Sequence, residues 1–152
     1  MPETLNHGTE GGSVVKLQPA AVLESALYVT DLPRAVAFYR DVLGLEPTGH
    51  ADHRAAFFRC GAGVVILFDA DETIKPAVPG RLPVPAHGTK GPGHLCFRAS
   101  RAEIAEWKAH LQANGVEIES EFDWPNGARS IYFRDPSGNS LEFAEPKLWN
   151  ME

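Results

Sequence analysis

The chain has 152 residues, of which 43% are hydrophobic and 22% charged, so it can bury one core or two small fused modules. A formal net charge of −6 without a basic cluster disfavours nucleic acid and anionic membranes as partners. No apolar run is long enough to span a bilayer, and the first residues lack the pattern of a secretory signal. Both cysteines lie in apolar runs, so we expect a reduced protein in the cytoplasm.

The first half of the chain predicts a strand, a helix and three further strands. After a polar, Gly-rich N-terminal tail (residues 1–20), alternating apolar residues predict a strand over about 22–30. Asp31 caps the following helix, Pro33 lies in its first turn and Gly44 ends it. The three short strands are expected near residues 46–50, 54–60 and 63–69.

An irregular segment over residues 70–93 follows, and it contains five of the twelve prolines and four of the fourteen glycines. A structureless loop of this length inside a compact chain is either functional or a connection between modules. We expect both, with the loop mobile and close to the functional cleft.

The second half repeats the order of the first. A strand in GHLCFRA precedes a helix that Ser100 and Glu103 open as a capping box and Gly115 closes. A strand over about 116–122 and a hairpin complete the half. This duplication predicts an α+β fold of two βαβββ modules, which together form a half-open barrel in one domain. The expected boundaries are 21–70 for module one, 93–146 for module two and 147–152 for a C-terminal tail.

The final hairpin has one apolar face and one polar face, joined by the turn Asp135-Pro136-Ser137-Gly138. Because side chains alternate along a strand, the apolar face carries Ile131, Phe133, Leu141 and Phe143. The polar face carries Ser130, Tyr132, Ser140 and Glu142. A carboxylate in the middle of such a face needs a partner, and a metal ion is one such partner.

Equivalent positions of the two modules carry groups that bind metals. Glu24 matches His94, each a few residues before the helix of its module, and Ile66 matches Glu142 in the last strand of each. Glu24, His94 and Glu142 are therefore the predicted ligands of Mn²⁺, Fe²⁺, Zn²⁺ or Ni²⁺. Because Ile66 cannot act as a ligand, one coordination position of the metal is left open for water or substrate. The alternative is a structural ion pair without a metal.

Three runs of the sequence resemble the vicinal-oxygen-chelate superfamily, which includes glyoxalase I, bleomycin-resistance proteins, extradiol dioxygenases and fosfomycin-resistance thiol transferases. They are ESALYVTDLPRAVAFYRDVLGL, GPGHLCF and GARSIYFRDPSGNSLEF. In members that use a metal, the first and last strands of each module carry the ligands, which implies the same three residues here. Glu24 stands where many members have His, and Ile66 stands where glyoxalase I has a carboxylate. Small members commonly pair modules across two chains, which implies a homodimer.

The resemblance implies a metal-dependent, glyoxalase-like lyase or isomerase that chelates a small oxygen-rich substrate through two neighbouring oxygens. Glu24 or Glu142 would act as the catalytic base, and the hairpin favours Glu142 because Ser130 and Tyr132 share its face. Ser130, Tyr132, Trp124 and Phe68 are the expected substrate-binding residues. The alternatives are a metal-free binding protein for a drug or metabolite, an extradiol-type dioxygenase and a fosfomycin-resistance-like thiol transferase.

Overall fold

A computed structural model describes residues 16–152 of the chain, which contain eight strands, three α-helices, one π-helix and one 3-10 helix. The predicted N-terminal tail lies largely outside these residues. The strands are β1 (Glu24–Val29), β2 (Glu46–Thr48), β3 (Ala55–Cys60), β4 (Gly63–Asp69), β5 (His94–Arg98), β6 (Ser120–Asp123), β7 (Arg129–Arg134) and β8 (Ser140–Ala144). The helices are α1 (Leu32–Ala37), α2 (Ala70–Thr73) and α3 (Arg101–Ala113), with the π-helix at Phe38–Val42 and the 3-10 helix at Pro146–Trp149.

The predicted duplication and fold class are confirmed. One sheet has the strand order β1-β4-β3-β2, and the other has the equivalent order β5-β8-β7-β6. In both sheets the first and last strands of the module pair in parallel, and the last pairs antiparallel with the one before it. Within residues 16–152 the two sheets remain separate, so one chain does not close them into a barrel.

Most predicted elements form close to their expected positions. Asp31 Oδ1 accepts a 3.1 Å hydrogen bond from the Arg34 backbone N–H and so caps α1. The first helix then continues as a π-helix, in which the adjacent aromatic residues Phe38 and Tyr39 are both buried. The capping box of Ser100 and Glu103 opens α3 as predicted.

Some details of the elements differ from the prediction. The first strand begins at Glu24 rather than near residue 22, because Val22 and Leu23 precede the paired region and stay exposed. The strand predicted over 116–122 begins only at Ser120, since Val116 and Ile118 turn inward against the core before the pairing starts. The loop over 70–93 opens with the single helical turn α2, which the Asp69 side chain caps.

One continuous core joins the helix-covered faces of both sheets. It contains Leu27, Val29, Tyr39, Phe58 and Leu67 from module one, and Leu111, Ile131, Phe133, Leu141 and Phe143 from module two. The opposite faces of the sheets carry the alternate residues, including Tyr28, Phe68, Tyr132 and Glu142. The candidate functional residues therefore lie on the sheet faces that point away from the shared core.

The turn between β7 and β8 also ties the modules together. Asn139 is 1% exposed; its Nδ2 donates to the Tyr28 carbonyl oxygen at 3.0 Å and its Oδ1 accepts from the Gly93 N–H at 2.7 Å. A Cβ on Gly93 would lie 3.1 Å from Leu27 Cδ2 and 3.3 Å from Asn139 Oδ1, so a larger residue would require these side chains to shift. This packing fixes the start of β5, where His94 lies.

None of the helices in the described part of the chain has the length and apolar character needed to cross a membrane.

Candidate metal and substrate site

Glu142 is the buried centre of the candidate site. Strand alternation places it on the face of β8 opposite Leu141 and Phe143, and only 4% of the residue is exposed. Tyr132 lies across from it on β7, and Cys96 lies across from it on β5. A buried carboxylate is costly unless it accepts hydrogen bonds or binds a cation, so the partners of its two oxygens define the site.

The first oxygen of Glu142 is hydrogen-bonded within module two. Ser130 Oγ donates to Glu142 Oε1 at 2.6 Å, and the indole Nε1–H of Trp124 donates to Ser130 Oγ at 2.8 Å. Ser130 is fully buried. We expected Ser130 and Trp124 to contact a substrate, and the structure places the indole N–H against Ser130 and the Ser130 hydroxyl against Glu142.

The second oxygen of Glu142 faces His94. Glu142 Oε2 lies 3.3 Å from His94 Nε2, and the His94 side chain is about half exposed. On the other side of the ring, Nδ1 lies 2.9 Å from the Ser140 carbonyl oxygen. A carbonyl can only accept, so Nδ1 carries a proton, and in the neutral form of the ring Nε2 presents its lone pair to the carboxylate.

In that form, Nε2 and Oε2 are two acceptors 3.3 Å apart, and a positive charge between them would bind both. A proton would give an imidazolium–carboxylate ion pair, and a divalent cation would take both atoms as ligands. Imidazole nitrogen and carboxylate oxygen are common ligands of Zn²⁺ and similar ions, and the Ser140 carbonyl orients the ring as outer partners of metal-bound histidines do. This pair therefore fits a divalent metal.

Two further groups around Glu142 stay protonated at neutral pH. Burial and then the Glu142 carboxylate raise the pKa of the Cys96 thiol to about 12. Burial and then a hydrogen bond to Glu142 raise the pKa of Tyr132 to about 12. Cys96 as a residue is exposed, but the surrounding protein atoms desolvate its thiol, and the high pKa argues against a thiolate nucleophile.

An aromatic wall borders the same face. The ring of Phe122 lies nearly parallel to Tyr132 at a centroid distance of 5.8 Å, and it meets Trp124 edge-on at 4.9 Å. On the other side of Tyr132, the His94 ring lies at 6.3 Å. Tyr132 thus joins the wall to the His94–Glu142 pair, where it could contact a substrate.

Glu24, the third predicted ligand, lies on the other module. It is exposed at the start of β1 and pairs in register with Val64, while Ile66 is buried two positions further along β4. Among residues 16–152, no group of three or more His, Cys, Asp or Glu side chains could hold a metal ion. A single chain therefore brings His94 and Glu142 together and leaves Glu24 apart from them.

Module one presents a second polar group that the sequence interpretation missed. Tyr28 Oη and His87 Nδ1 lie 2.7 Å apart, and the His87 ring packs edge-on against Phe68 at 4.6 Å. The His87 backbone N–H also donates to the Thr73 carbonyl oxygen at 3.0 Å. Phe68, an expected substrate contact, is thus partly covered by the loop. Alternation along β1 places Tyr28 on the face of Glu24, but no sequence signal pairs it with His87.

Comparison with known proteins agrees with this architecture. The family model described as the glyoxalase/bleomycin resistance protein/dioxygenase superfamily matches residues 20–143. The crystal structure of a lactoylglutathione lyase from Agrobacterium tumefaciens is 45% identical and superposes with a TM-score of 0.83, covering 88% of this chain and 98% of that one.

The names of two more distant relatives refer to thiol transfer and to antibiotic resistance. The metallothiol transferase FosB of Staphylococcus saprophyticus is 26% identical over 116 residues, which are 75% of this chain and 69% of the relative. The fosfomycin resistance protein FosX from Listeria monocytogenes is 21% identical in sequence, and its structure superposes with a TM-score of 0.64 over 87% of this chain and 98% of that one. At this low identity, the similarity supports a shared fold and no shared activity. Because the family model spans residues 20–143, which include nearly all of both modules, this chain belongs to the glyoxalase/bleomycin resistance protein/dioxygenase superfamily.

Proposed function

We propose that this protein is a cytoplasmic, homodimeric, metal-dependent lyase or isomerase that acts on a small substrate with two neighbouring oxygens. The observation that carries the proposal is the convergence of His94 Nε2 and Glu142 Oε2, two potential ligand atoms 3.3 Å apart that a divalent cation can bridge. The 45% identity to a protein named lactoylglutathione lyase favours a 2-hydroxyacyl thioester as substrate or product.

His94 and Glu142 would hold the ion together with Glu24 from a second copy of the chain. Glu24 is exposed and lies on the module-one face that points away from the shared core, so a second copy can reach it. When bound, a divalent ion supplies Lewis-acid stabilisation of negative charge on substrate oxygens. Mn²⁺, Fe²⁺, Zn²⁺ and Ni²⁺ all suit one histidine and two carboxylates.

The chain's own residues would move a proton between neighbouring carbons of the substrate. A carboxylate removes the proton from a carbon next to a carbonyl and returns it to the adjacent carbon, so the reaction is an isomerisation without net oxidation. Glu142 is poorly placed as that base, since Ser130 donates to Oε1 and Oε2 faces His94. The contacts therefore favour Glu142 as a ligand and Glu24 as the base, whereas the hairpin pattern alone favours Glu142 as the base.

Tyr132 and the aromatic wall would bind the rest of the substrate. With a pKa raised to about 12, the Tyr132 hydroxyl stays neutral at neutral pH. Because its proton is directed to Glu142, its oxygen can accept a hydrogen bond from a substrate hydroxyl group. Phe122 and Trp124 beside it would exclude water from one side of the reacting atoms.

Thiol transfer is the second candidate because of the similarity to the metallothiol transferase FosB. Transfer to an oxyanionic substrate would need hydroxyl groups that face the substrate. Ser130 is fully buried and its hydroxyl already donates to Glu142, so it does not offer such a group. This contact favours the lyase or isomerase.

The test is to measure metal content and turnover of the purified protein. We expect one ion per chain and conversion of the adduct of a 2-oxoaldehyde and a thiol to a 2-hydroxyacyl thioester, followed by ultraviolet absorbance. His94→Ala should lose the ion and the activity, while His53→Ala, which changes a side chain 61% exposed, should keep both.

Different outcomes point to the other candidates. Binding of a drug-like ligand by a protein that takes up no ion would support sequestration. Turnover that requires Fe²⁺ and consumes O₂ would support a dioxygenase. Transfer of a thiol to fosfomycin in place of isomerisation would support a transferase.

A further inference from the structure

We infer that Trp124 and Ser130 are positioning residues, which hold Glu142 so that a single oxygen, Oε2, is presented to the metal. The inference rests on the proposed metal site and adds two residues that would not touch the ion. The two oxygens of an isolated carboxylate are chemically equivalent, so the carboxylate alone does not determine which oxygen binds the metal.

The direction of each hydrogen bond in the chain from Trp124 to Glu142 is set by chemistry. An indole N–H can only donate, so Ser130 Oγ accepts from Trp124 at 2.8 Å. The one hydroxyl proton of Ser130 is then directed to Glu142 Oε1 at 2.6 Å. Oε1 must therefore accept this hydrogen bond.

Burial makes this arrangement rigid. Ser130 has no exposed surface and Glu142 has 4%, so water has little access to replace the hydrogen bond between them. The indole is held in turn by its own loop, since the Trp124 backbone N–H donates to Ala128 O and the Gly127 N–H donates to Trp124 O. Phe122 packs against the indole ring.

A metal held at this site would be ligated by one carboxylate oxygen of Glu142. Oε1 is occupied by Ser130, whereas Oε2 lies beside His94 Nε2. Without the Ser130 hydroxyl, the carboxylate could rotate or use both oxygens, a mode that larger ions such as Ca²⁺ accept readily. We expect the two residues to strengthen binding of small ions such as Zn²⁺ and to disfavour larger ones.

The experiment measures the dissociation constants of Zn²⁺ and Mn²⁺ by calorimetry on the whole protein, with thermal unfolding to confirm that each variant folds. Ser130→Ala should weaken Zn²⁺ binding by about 10- to 100-fold, as loss of an outer partner of a metal ligand does. Trp124→Phe, which keeps an aromatic ring against Phe122, should weaken it less, and Ser130→Thr, which keeps the hydroxyl, should restore it. Trp149→Phe is the control, because Trp149 is 74% exposed.

The double variant Trp124→Phe/Ser130→Ala tests whether Trp124 acts through Ser130. If it does, the double variant binds Zn²⁺ as Ser130→Ala does, because the indole has already lost its acceptor. The ¹H–¹⁵N signal of the Trp124 indole should also move in Ser130→Ala without any metal present. Additive losses, or an unchanged Zn²⁺ affinity in Ser130→Ala, would overturn the inference while the proposed function stands. A wild-type protein that binds no ion would overturn both.

Discussion

Tyr39 and Asp135 join the two modules through a hydrogen bond inside the shared core. Tyr39 Oη donates to Asp135 Oδ2 at 2.8 Å, and the two residues are 0% and 4% exposed. The backbone N–H groups of Ser137 and Asn139 satisfy the other oxygen, Oδ1. Asp135 thus shapes the turn between β7 and β8 and at the same time accepts from the π-helix of module one.

Tyr39→Phe should lower the free energy of unfolding by about 1–2 kcal/mol, because it removes a buried charged hydrogen bond and leaves Oδ2 with one donor fewer. Urea denaturation checks this value. Tyr28→Phe is the matched control, since it removes the same hydroxyl from a half-buried bond to His87 and should cost less. An equal loss in both variants would contradict a special role for the bond to Asp135.

Because of the same hydrogen bond, the free energy of unfolding should decrease at alkaline pH. Burial, and then the negative charge of Asp135, raise the pKa of Tyr39 far above its ordinary value of 10.0. Tyr39 therefore stays protonated in the folded protein, while the same side chain ionises in the unfolded chain. Its contribution to the free energy of unfolding is complete below about pH 10 and decreases above it. Unfolding measured from pH 9 to 11 should show a shallower decline in Tyr39→Phe than in the wild type.

Cys96 should react slowly with iodoacetamide although it is exposed. Its thiol pKa is raised to about 12, first because neighbouring protein atoms desolvate the sulfur and second because of the Glu142 charge, so little thiolate exists near pH 9. In a Cys60→Ser background, which leaves Cys96 as the single thiol, Glu142→Gln should speed alkylation on the order of tenfold by removing the negative charge. Glu119→Gln, far from this thiol on an exposed pair with Arg134, should leave the rate unchanged.

The middle of the loop should be the first site of tryptic cleavage in the described part of the chain. Residues 74–86 are all exposed, and Arg81 lies in their centre, while His87 anchors the end of the loop to Tyr28 and Thr73. Mass spectrometry of the early fragments should show a cut after Arg81, slowed by a bound substrate analogue if the loop borders the cleft. Early cleavage confined to sites before residue 20 would count against this prediction.

The sequence was sufficient to predict features that depend on local patterns. Alternation along β7 and β8 correctly placed Ser130, Tyr132 and Glu142 on one face, and spacing within each half identified the duplication. Capping by Asp31 and by Ser100 was predictable for the same reason, because the partners lie within a few residues.

Features that depend on tertiary contacts were not predictable. The indole of Trp124 reaches Ser130 only because the turn over 124–128 folds back on itself, and no periodic pattern encodes that geometry. Tyr28 and His87 are 59 positions apart, and their pairing depends on how the loop over residues 70–93 packs against β1 and β4. The position of Glu24 relative to His94 depends, in the proposed dimer, on a second chain.

The roles of the two carboxylates can be separated by paired amide substitutions. Glu24→Gln should retain much of the metal, since an amide oxygen can still coordinate, but should reduce turnover by at least 100-fold if Glu24 is the base. Glu142→Gln should lose most of the metal, because an amide ligates less strongly than a carboxylate and its NH₂ group cannot accept from Ser130. Metal content and turnover are measured on both proteins side by side. If Glu142→Gln retains the metal but loses turnover, Glu142 on the final hairpin is the catalytic base. Full activity in both variants would refute the whole site.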